Sequence, residues 1–291
     1  MNIFKTLFGG KDNNQENKKK EEEKKNFDIL KYDGVRALRS GKAAYAAKCF
    51  EHALDLADDL ECRDYLSQAF TQTGQLAEAC EQLQKIAEKK PDNYEVFMRI
   101  ANVAYMMENY AMMSDACEKA MLIDNTKPAA YYVYAIACHK QSDDSNAKAM
   151  LTKAINMKND YADARLLRAE ILFEEKDIDG SDEDASWLME HQPENENALL
   201  IKAKILEVKG QHGKALEMYG KTLDANPFNT EALSERAKTR RAVGDEKGAE
   251  EDETALDEII SRQEKSKGDE GIEKKVENAY KALDPYKIFN N

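Results

Sequence analysis

Apolar side chains along this chain come in bursts of about a dozen residues at helical spacing, each closed by a short polar turn. The turns at Ser40-Gly41, Thr73-Gly74, Lys209-Gly210 and Val243-Gly244 carry glycine, which ends a helix in the left-handed conformation. A second kind of break falls near Pro91, Asn125, Asn159, Pro193 and Pro227, where proline or asparagine closes one helix and prepares the next. The pattern therefore predicts paired helices, and no segment alternates with the period of a strand.

The pairs repeat. Ala101, Ala135, Ala169, Ala203 and Ala237 are spaced 34 residues apart, with Ser67 one period earlier. A second series runs in phase through Ala79, Met113, Ala147, Ser181, Ala215 and Ala249, with Ala46 one residue off. A fixed period of this size marks a repeat architecture with a continuous core. Seven units fit, at 27–59, 60–93, 94–127, 128–161, 162–195, 196–229 and 230–261. Residues 1–26 read as a flexible arm, and 262–291 as a charged linker followed by a C-terminal helix and tail.

The third unit carries Phe97, Ile100, Ala101, Ala104, Tyr110, Cys117 and Ala120, and the sixth carries Leu199, Ala203, Leu206, Gly210, Ala215, Tyr219 and Pro227. With the 34-residue period, these resemble the tetratricopeptide repeat (TPR) family over about four fifths of the chain. The resemblance implies an all-α fold, a right-handed superhelical solenoid of seven TPR-like helix-turn-helix repeats plus a C-terminal helix. Small residues are expected where the two helices of a unit cross, with Phe50, Leu83, Leu151 and Tyr219 filling the space toward the next unit. Two features depart from the family pattern. Its early tryptophan place holds Leu30, Arg63, Phe97, Tyr131, Arg165, Leu199 and Leu233, and the two arginines disturb local packing. In the seventh unit Arg236, Arg240 and Glu253 replace apolar residues, as expected of an end unit with a polar face.

Family members bind peptides or helices in the groove lined by the first helix of each unit. Carried onto this sequence, the groove places are Met98, Asn102, Tyr105 and Met106 in unit three. Unit four supplies Tyr132, Ile136, His139 and Lys140, and unit five Leu166, Glu170, Phe173 and Glu174. The middle of that groove reads as apolar and methionine-rich, suited to an adaptable apolar ligand. Ordinary repeat background accounts for some of these aromatics equally well. The Lys, Asn and Arg clamp by which some members hold an acidic C-terminal tail is not matched, since Val35 follows Lys31 where asparagine is wanted.

Charge and composition narrow the function. A formal charge of −13 and a pI near 5.0 oppose binding to nucleic acid, which needs clustered Lys and Arg. Cys49, Cys62, Cys80, Cys117 and Cys138 lack metal-ligand spacing and read as buried, reduced residues of a cytoplasmic protein. His52, His139, His191 and His212 are scattered without nucleophile partners, so neither an enzyme nor a cofactor is expected. The run Asp177–Asp184 resembles a calcium loop, but its twelfth place counted from Glu175 is Ser186, so a solvated acidic turn is expected.

Two further segments invite partners. Ile3, Phe4, Leu7 and Phe8, with Lys5 and Lys11, form an apolar tip. Its area is small and no second anchoring signal follows, so a disordered tip is preferred to membrane contact through residues 1–8. Ile272, Val276, Ala279, Tyr280 and Leu283 share one face of the C-terminal helix, which is expected to cap the array or to dock on a partner. The leading expectation is a cytoplasmic protein-interaction scaffold or adaptor holding a peptide or amphipathic helix in the groove. The alternatives are a self-associating architectural protein and a membrane-attached assembly factor using the N-terminal tip.

Overall fold

A computed structural model describes residues 5–267, with side chains from 16 to 262. Among the described residues, fourteen α-helices form seven pairs. Repeat 1 is α1 (Lys5–Arg39) with α2 (Ala43–Leu56), and repeat 2 is α3 (Leu60–Gln72) with α4 (Leu76–Lys89). Repeat 3 is α5 (Tyr94–Met106) with α6 (Tyr110–Ile123), and repeat 4 is α7 (Pro128–Lys140) with α8 (Asp144–Met157). Repeat 5 is α9 (Ala162–Glu174) with α10 (Ile178–His191), and repeat 6 is α11 (Glu196–Val208) with α12 (His212–Ala225). Repeat 7 is α13 (Thr230–Ala242) with α14 (Glu246–Lys267). From α3 onward, first helices start every 34 residues, and from α4 onward so do second helices. Contacts divide the chain at Ile123 and Asp124 into two compact units, repeats 1–3 and repeats 4–7.

Local chemistry sets these boundaries. Asp59, Asn93, Asn195 and Asn229 occupy the N-cap place of α3, α5, α11 and α13, and their side chains accept from the N–H groups of Cys62, Val96, Ala198 and Ala232. Pro128 opens α7, where its missing N–H costs nothing. The turns inside repeats 1, 2, 6 and 7 place Gly41, Gly74, Gly210 and Gly244 at φ of 72°, 78°, 71° and 86°. Repeats 3, 4 and 5 demand the same conformation of Glu108, Ser142 and Lys176, at 54°, 62° and 68°.

The two small-residue ladders are buried along their full length. Ser181 of the second ladder donates from Oγ to the carbonyl of Ala169 of the first, 2.8 Å away, which marks the crossing of α9 and α10. A third ladder, Phe50, Leu83, Cys117, Leu151, Ala185 and Tyr219, is buried and carries packing to the next repeat. Phe50 stacks on Tyr65 of α3 at 5.6 Å, and Tyr219 packs with Ala232 and Leu233 of α13.

Several sequence expectations change. The stretch expected as a flexible arm is helical from Lys5 and runs unbroken into repeat 1. Lysine and glutamate are good helix formers, and Lys20 pairs with Glu16 at 2.8 Å within that stretch. Asn26, in phase with the capping residues Asp59 and Asn93, therefore sits inside a helix. At the other end, α14 continues through the expected linker to Lys267. The C-terminal helix face from Ile272 to Leu283 lies outside the described residues, as do the side chains of the N-terminal tip.

The arginines thought to disturb packing are instead paired inside their repeats. Arg63 donates to Gln82 at 2.7 Å. In repeat 5, Arg168 grips buried Asp184 through Nε and Nη2 at 2.7 and 2.8 Å, and Arg165 adds a bond at 3.0 Å while lying over the Trp187 ring. Repeat 7 uses the same geometry 68 residues on, with Arg236 binding buried Asp252 at 2.9 and 2.6 Å and Arg240 joining at 2.9 Å. Arg236 and Arg240 thus point inward, and only Glu253, bonded to half-exposed Arg241 at 2.8 Å, keeps the polar outer face of an end unit.

The acidic run Asp177–Asp184 is likewise no solvated turn. Asp177 caps α10 by accepting from the Gly180 N–H at 3.0 Å, and the residues after it are helical. Asp182 binds Lys209 at 2.8 Å and also pairs with Lys202, while Asp184 serves the arginines. Among the described residues, no group of three His, Cys, Asp or Glu is arranged to hold a metal ion.

A left-handed residue with a Cβ costs about 1–2 kcal/mol, part of which glycine gives back as unfolded-state entropy. Lys176→Gly and Glu108→Gly are therefore expected to raise the urea midpoint by the equivalent of up to about 1 kcal/mol, and Gly210→Ala to lower it similarly. Asp184→Asn strands two largely buried guanidinium groups and should cost about 3–5 kcal/mol in the same titration. A loss below about 1 kcal/mol would mean that water compensates the arginines.

Candidate functional site: the face of the first helices

Within each unit the first helices lie closer together than the second. In repeats 4–7, α9 packs on α11 and α11 on α13, and in repeats 1–3, α1 packs on α3. Successive second helices show no comparable contact among the described residues. The first-helix side is consequently the inner side of each unit, where a stack of helical pairs presents its binding surface.

In repeats 1–3 the α5 positions divide. Met98 is buried and serves as backing, whereas Asn102, Tyr105 and Met106 are half-buried on the inner side. Tyr105 leans on Tyr110 with ring centres 6.2 Å apart. Lys31 is engaged by Asp59 at 2.9 Å and Glu61 at 2.7 Å. Burial alone would lower its pKa, but the two carboxylates outweigh that and raise it to about 12. It is therefore already committed to acidic partners, in keeping with the unmatched clamp.

In repeats 4–7 the same division holds. Tyr132 is buried against Tyr161, with ring centres 5.2 Å apart, and contributes packing. Ile136 and His139 of α7 and Leu166 and Phe173 of α9 are half-buried. Leu166 and Phe173 rest on Ala169, Ala185, Ile201 and Ile205, so one side of each ring or chain belongs to the core and the other to the inner face. The His139 Nδ1 lies 2.6 Å from the Asp144 carboxylate, which fixes the imidazole.

Between these apolar residues sits Glu170. Burial pushes its carboxyl above the ordinary carboxylate range; Glu174 and Glu231 add to the rise, and Lys204 and His139 oppose it. These neighbours come from α7, α9, α11 and α13, so all four first helices of the unit contribute charge to one face. Among the described residues Glu170 has no hydrogen bond or ion pair, while Lys204 pairs with Glu231. Farther along, Glu207 accepts from the buried Tyr219 hydroxyl at 2.9 Å, and Lys238 pairs with Glu235 at 2.6 Å. The face is thus apolar at α7 and α9 and acidic toward α13. Lys204, Glu207 and Glu231 were not among the sequence candidates, although stepping 34 residues from Glu170 and Phe173 reaches the first two.

No family profile matches the sequence, and no curated protein resembles it significantly. Solved structures do resemble it. A tetratricopeptide repeat protein from Parabacteroides merdae superposes with a TM-score of 0.67 at 14% identity, covering 81% of this chain and 93% of that one. PilW, a widely conserved type IV pilus biogenesis factor, gives 0.60 at 15% identity over 69% of this chain and 98% of its own. YrrB, described as a TPR protein with an unusual peptide-binding site, gives 0.52 at 21% identity over 64% and 97%. The fold is that of a tetratricopeptide repeat solenoid.

The raised Glu170 pKa has a defined sign in stability. Between the unfolded carboxyl pKa of about 4.3 and the higher folded value, the native state holds the extra proton, so Glu170 lowers stability as pH rises through that window. Glu170→Gln should therefore melt at a higher temperature than the parent at pH 7.5. The two should converge below about pH 4. A gap independent of pH would show that ionisation at this position is not the cause.

Proposed function

We propose that this chain is a non-catalytic protein-interaction scaffold that holds a peptide or amphipathic helix on the inner face of repeats 4–6. The observation that carries the reading is the half-buried apolar stretch of Ile136, Leu166 and Phe173 on the inner side, with half-buried Glu170 on the same face. Burial raises the Glu170 pKa, and a ligand cation placed beside the carboxylate would favour its charged form. The partner segment accordingly combines apolar side chains with a Lys or Arg. That extends the sequence expectation of an apolar ligand with the acidic character of the face.

The TPR fold is a surface for protein partners in related architectures, and YrrB shares it with a peptide-binding site. A cytoplasmic setting suits five cysteines that are all buried and outside any disulfide. Burial pushes the Cys62 thiol up to about 12, away from the thiolate form at neutral pH. Among the described residues, no helix is long and apolar enough to cross a membrane.

Capture of cellular proteins by the immobilised full chain, compared with Glu170→Lys and Ile136→Asp, tests the proposal. Both positions are incompletely buried, so helicity by circular dichroism should be retained. Each change is expected to weaken the captured partner at least about tenfold, a little over 1.4 kcal/mol. Binding to the parent should also weaken with added salt. Undiminished capture by both variants would remove the inner face of repeats 4–6 from the function.

A further inference from the structure

Repeat 6 breaks a pairing that its neighbours keep. Arg168, Lys202 and Arg236 stand 34 residues apart on first helices, and Asp184, Met218 and Asp252 do so on second helices. In repeats 5 and 7 the arginine grips the aspartate of its own repeat through two nitrogens. The Met218 side chain of repeat 6 has no oxygen to offer Lys202, and the ammonium turns to α10, where it pairs with Asp182 and donates to the Ser186 hydroxyl at 2.9 Å. Repeat 4 also carries a methionine, Met150, but holds Tyr134 at the place of Lys202.

A cavity of about 540 Å³ opens at this place, lined by residues of repeats 5 and 6 alone. Half-buried Met189, Leu206 and Met218 form its apolar wall. Sites for small molecules measure about 300–1,000 Å³ and combine such a wall with a few polar groups. No residue of the lining repeats the phase of Ile136, Leu166, Glu170 or Phe173, so the cavity is distinct from the inner-face residues.

The polar part of the lining is cationic, in a chain of net charge −13. Lys202, Lys209 and Lys214 stand there with Asp182 and Glu217. Lys209 donates to the second Asp182 oxygen at 2.8 Å, so one carboxylate serves two ammonium groups. Burial would raise the Asp182 pKa, but the two lysines outweigh that and hold it below the ordinary carboxylate range. Glu217 is engaged by Lys221 at 2.7 Å, and exposed Asp179 adds a contact of 3.6 Å to Lys209. Lys214 is exposed and makes no ion pair among the described residues. Asp182 and Lys209 also reverse the charges of the pair one repeat earlier, Lys148 with Glu175, which brings a lysine rather than a glutamate to the edge of the cavity.

We propose that this cavity binds a small carboxylate with a hydrocarbon tail, the tail against Met189, Leu206 and Met218 and the carboxylate beside Lys209 and Lys214. An anion there neutralises ammonium charge that Asp182 leaves in excess, and methionine side chains adapt to a flexible chain. The apolar wall amounts to three side chains within one depression, which suits a small ligand better than a docked protein.

Decanoate is the probe, added to the full chain and followed through the methyl resonances of Met189 and Met218. Each resonance is assigned by its loss in Met189→Leu or Met218→Leu. Both should shift and saturate with a Kd at or below about 1 mM. Decyltrimethylammonium, with the same tail and the opposite charge, should leave them in place. Lys214→Glu changes an exposed side chain, so the spectrum of the free protein should be retained while decanoate binds about threefold more weakly or worse. Asp182→Asn releases two lysines and should tighten binding. Absence of a saturable shift up to about 1 mM overturns the proposal. So do equal shifts from the two amphiphiles, undiminished binding by Lys214→Glu, or an Asp182→Asn variant that binds no tighter. A peptide of leucine and glutamate that moves both resonances where decanoate does not would also overturn it, by assigning the cavity to a protein partner. None of these outcomes depends on the Glu170 face.

Discussion

The structure depends on the close approach of two helices at residues with almost no side chain. Ala169 and Ser181 meet where α9 crosses α10, and their counterparts in the other repeats, small except for Met113, are buried alike. A larger residue at such a crossing forces the helix axes apart, and in a stacked array the displacement passes to the next repeat. The ladders therefore fix the geometry of the pair, while Phe50, Leu83, Leu151 and Tyr219 fix the distance between pairs. The N-caps and left-handed turns serve that same period, because a turn of different length would rotate the small face of the second helix away from the first.

Once the crossing is fixed, neighbouring positions have more latitude than an apolar core suggests. The place held by Met150 and Met218 in repeats 4 and 6 is held by Asp184 and Asp252 in repeats 5 and 7. Each aspartate brings its own bidentate arginine from one turn of the first helix, Arg168 or Arg236, and a second arginine completes its hydrogen bonding. A buried pair of this kind adds little net stability over a methionine. It does forbid misregister, since an arginine from repeat 5 set against the Met218 of repeat 6 would be buried without a carboxylate.

Most of the fold was legible because a 34-residue period is read from identity and spacing alone. The ladders, the turns and the number of pairs needed no knowledge of partners in space. Errors fell where one residue type has two solutions. Arg236 and Asp184 read as surface residues because charge usually faces water, and only the crossing geometry brings them together. The helical stretch before Phe27 was hidden by its lack of apolar residues, although its lysine and glutamate content favours a helix. The inner face was legible in phase but not in character. Met98 and Tyr132 stand at groove positions yet are buried, because burial depends on how deeply neighbouring helices interlock. The significance of Glu170 required Lys204, Glu174, His139 and Glu231 to be placed around it.

In a repeat array the period specifies what is common to all units, so specific information lies in departures from it. Glu170 stands where repeats 3 and 4 carry Asn102 and Ile136, and Ile29 stands where small residues recur. Both lie on surfaces that the stack itself does not use, one on the inner face and one at an end. In the interior a substitution is constrained by close packing, because a change of volume is passed on to the next repeat. Among the described residues Glu170 has no hydrogen bond or ion pair, and Ile29 is 49% exposed. A partly buried carboxylate and an exposed isoleucine each cost free energy, so the stability of the stack does not account for either departure.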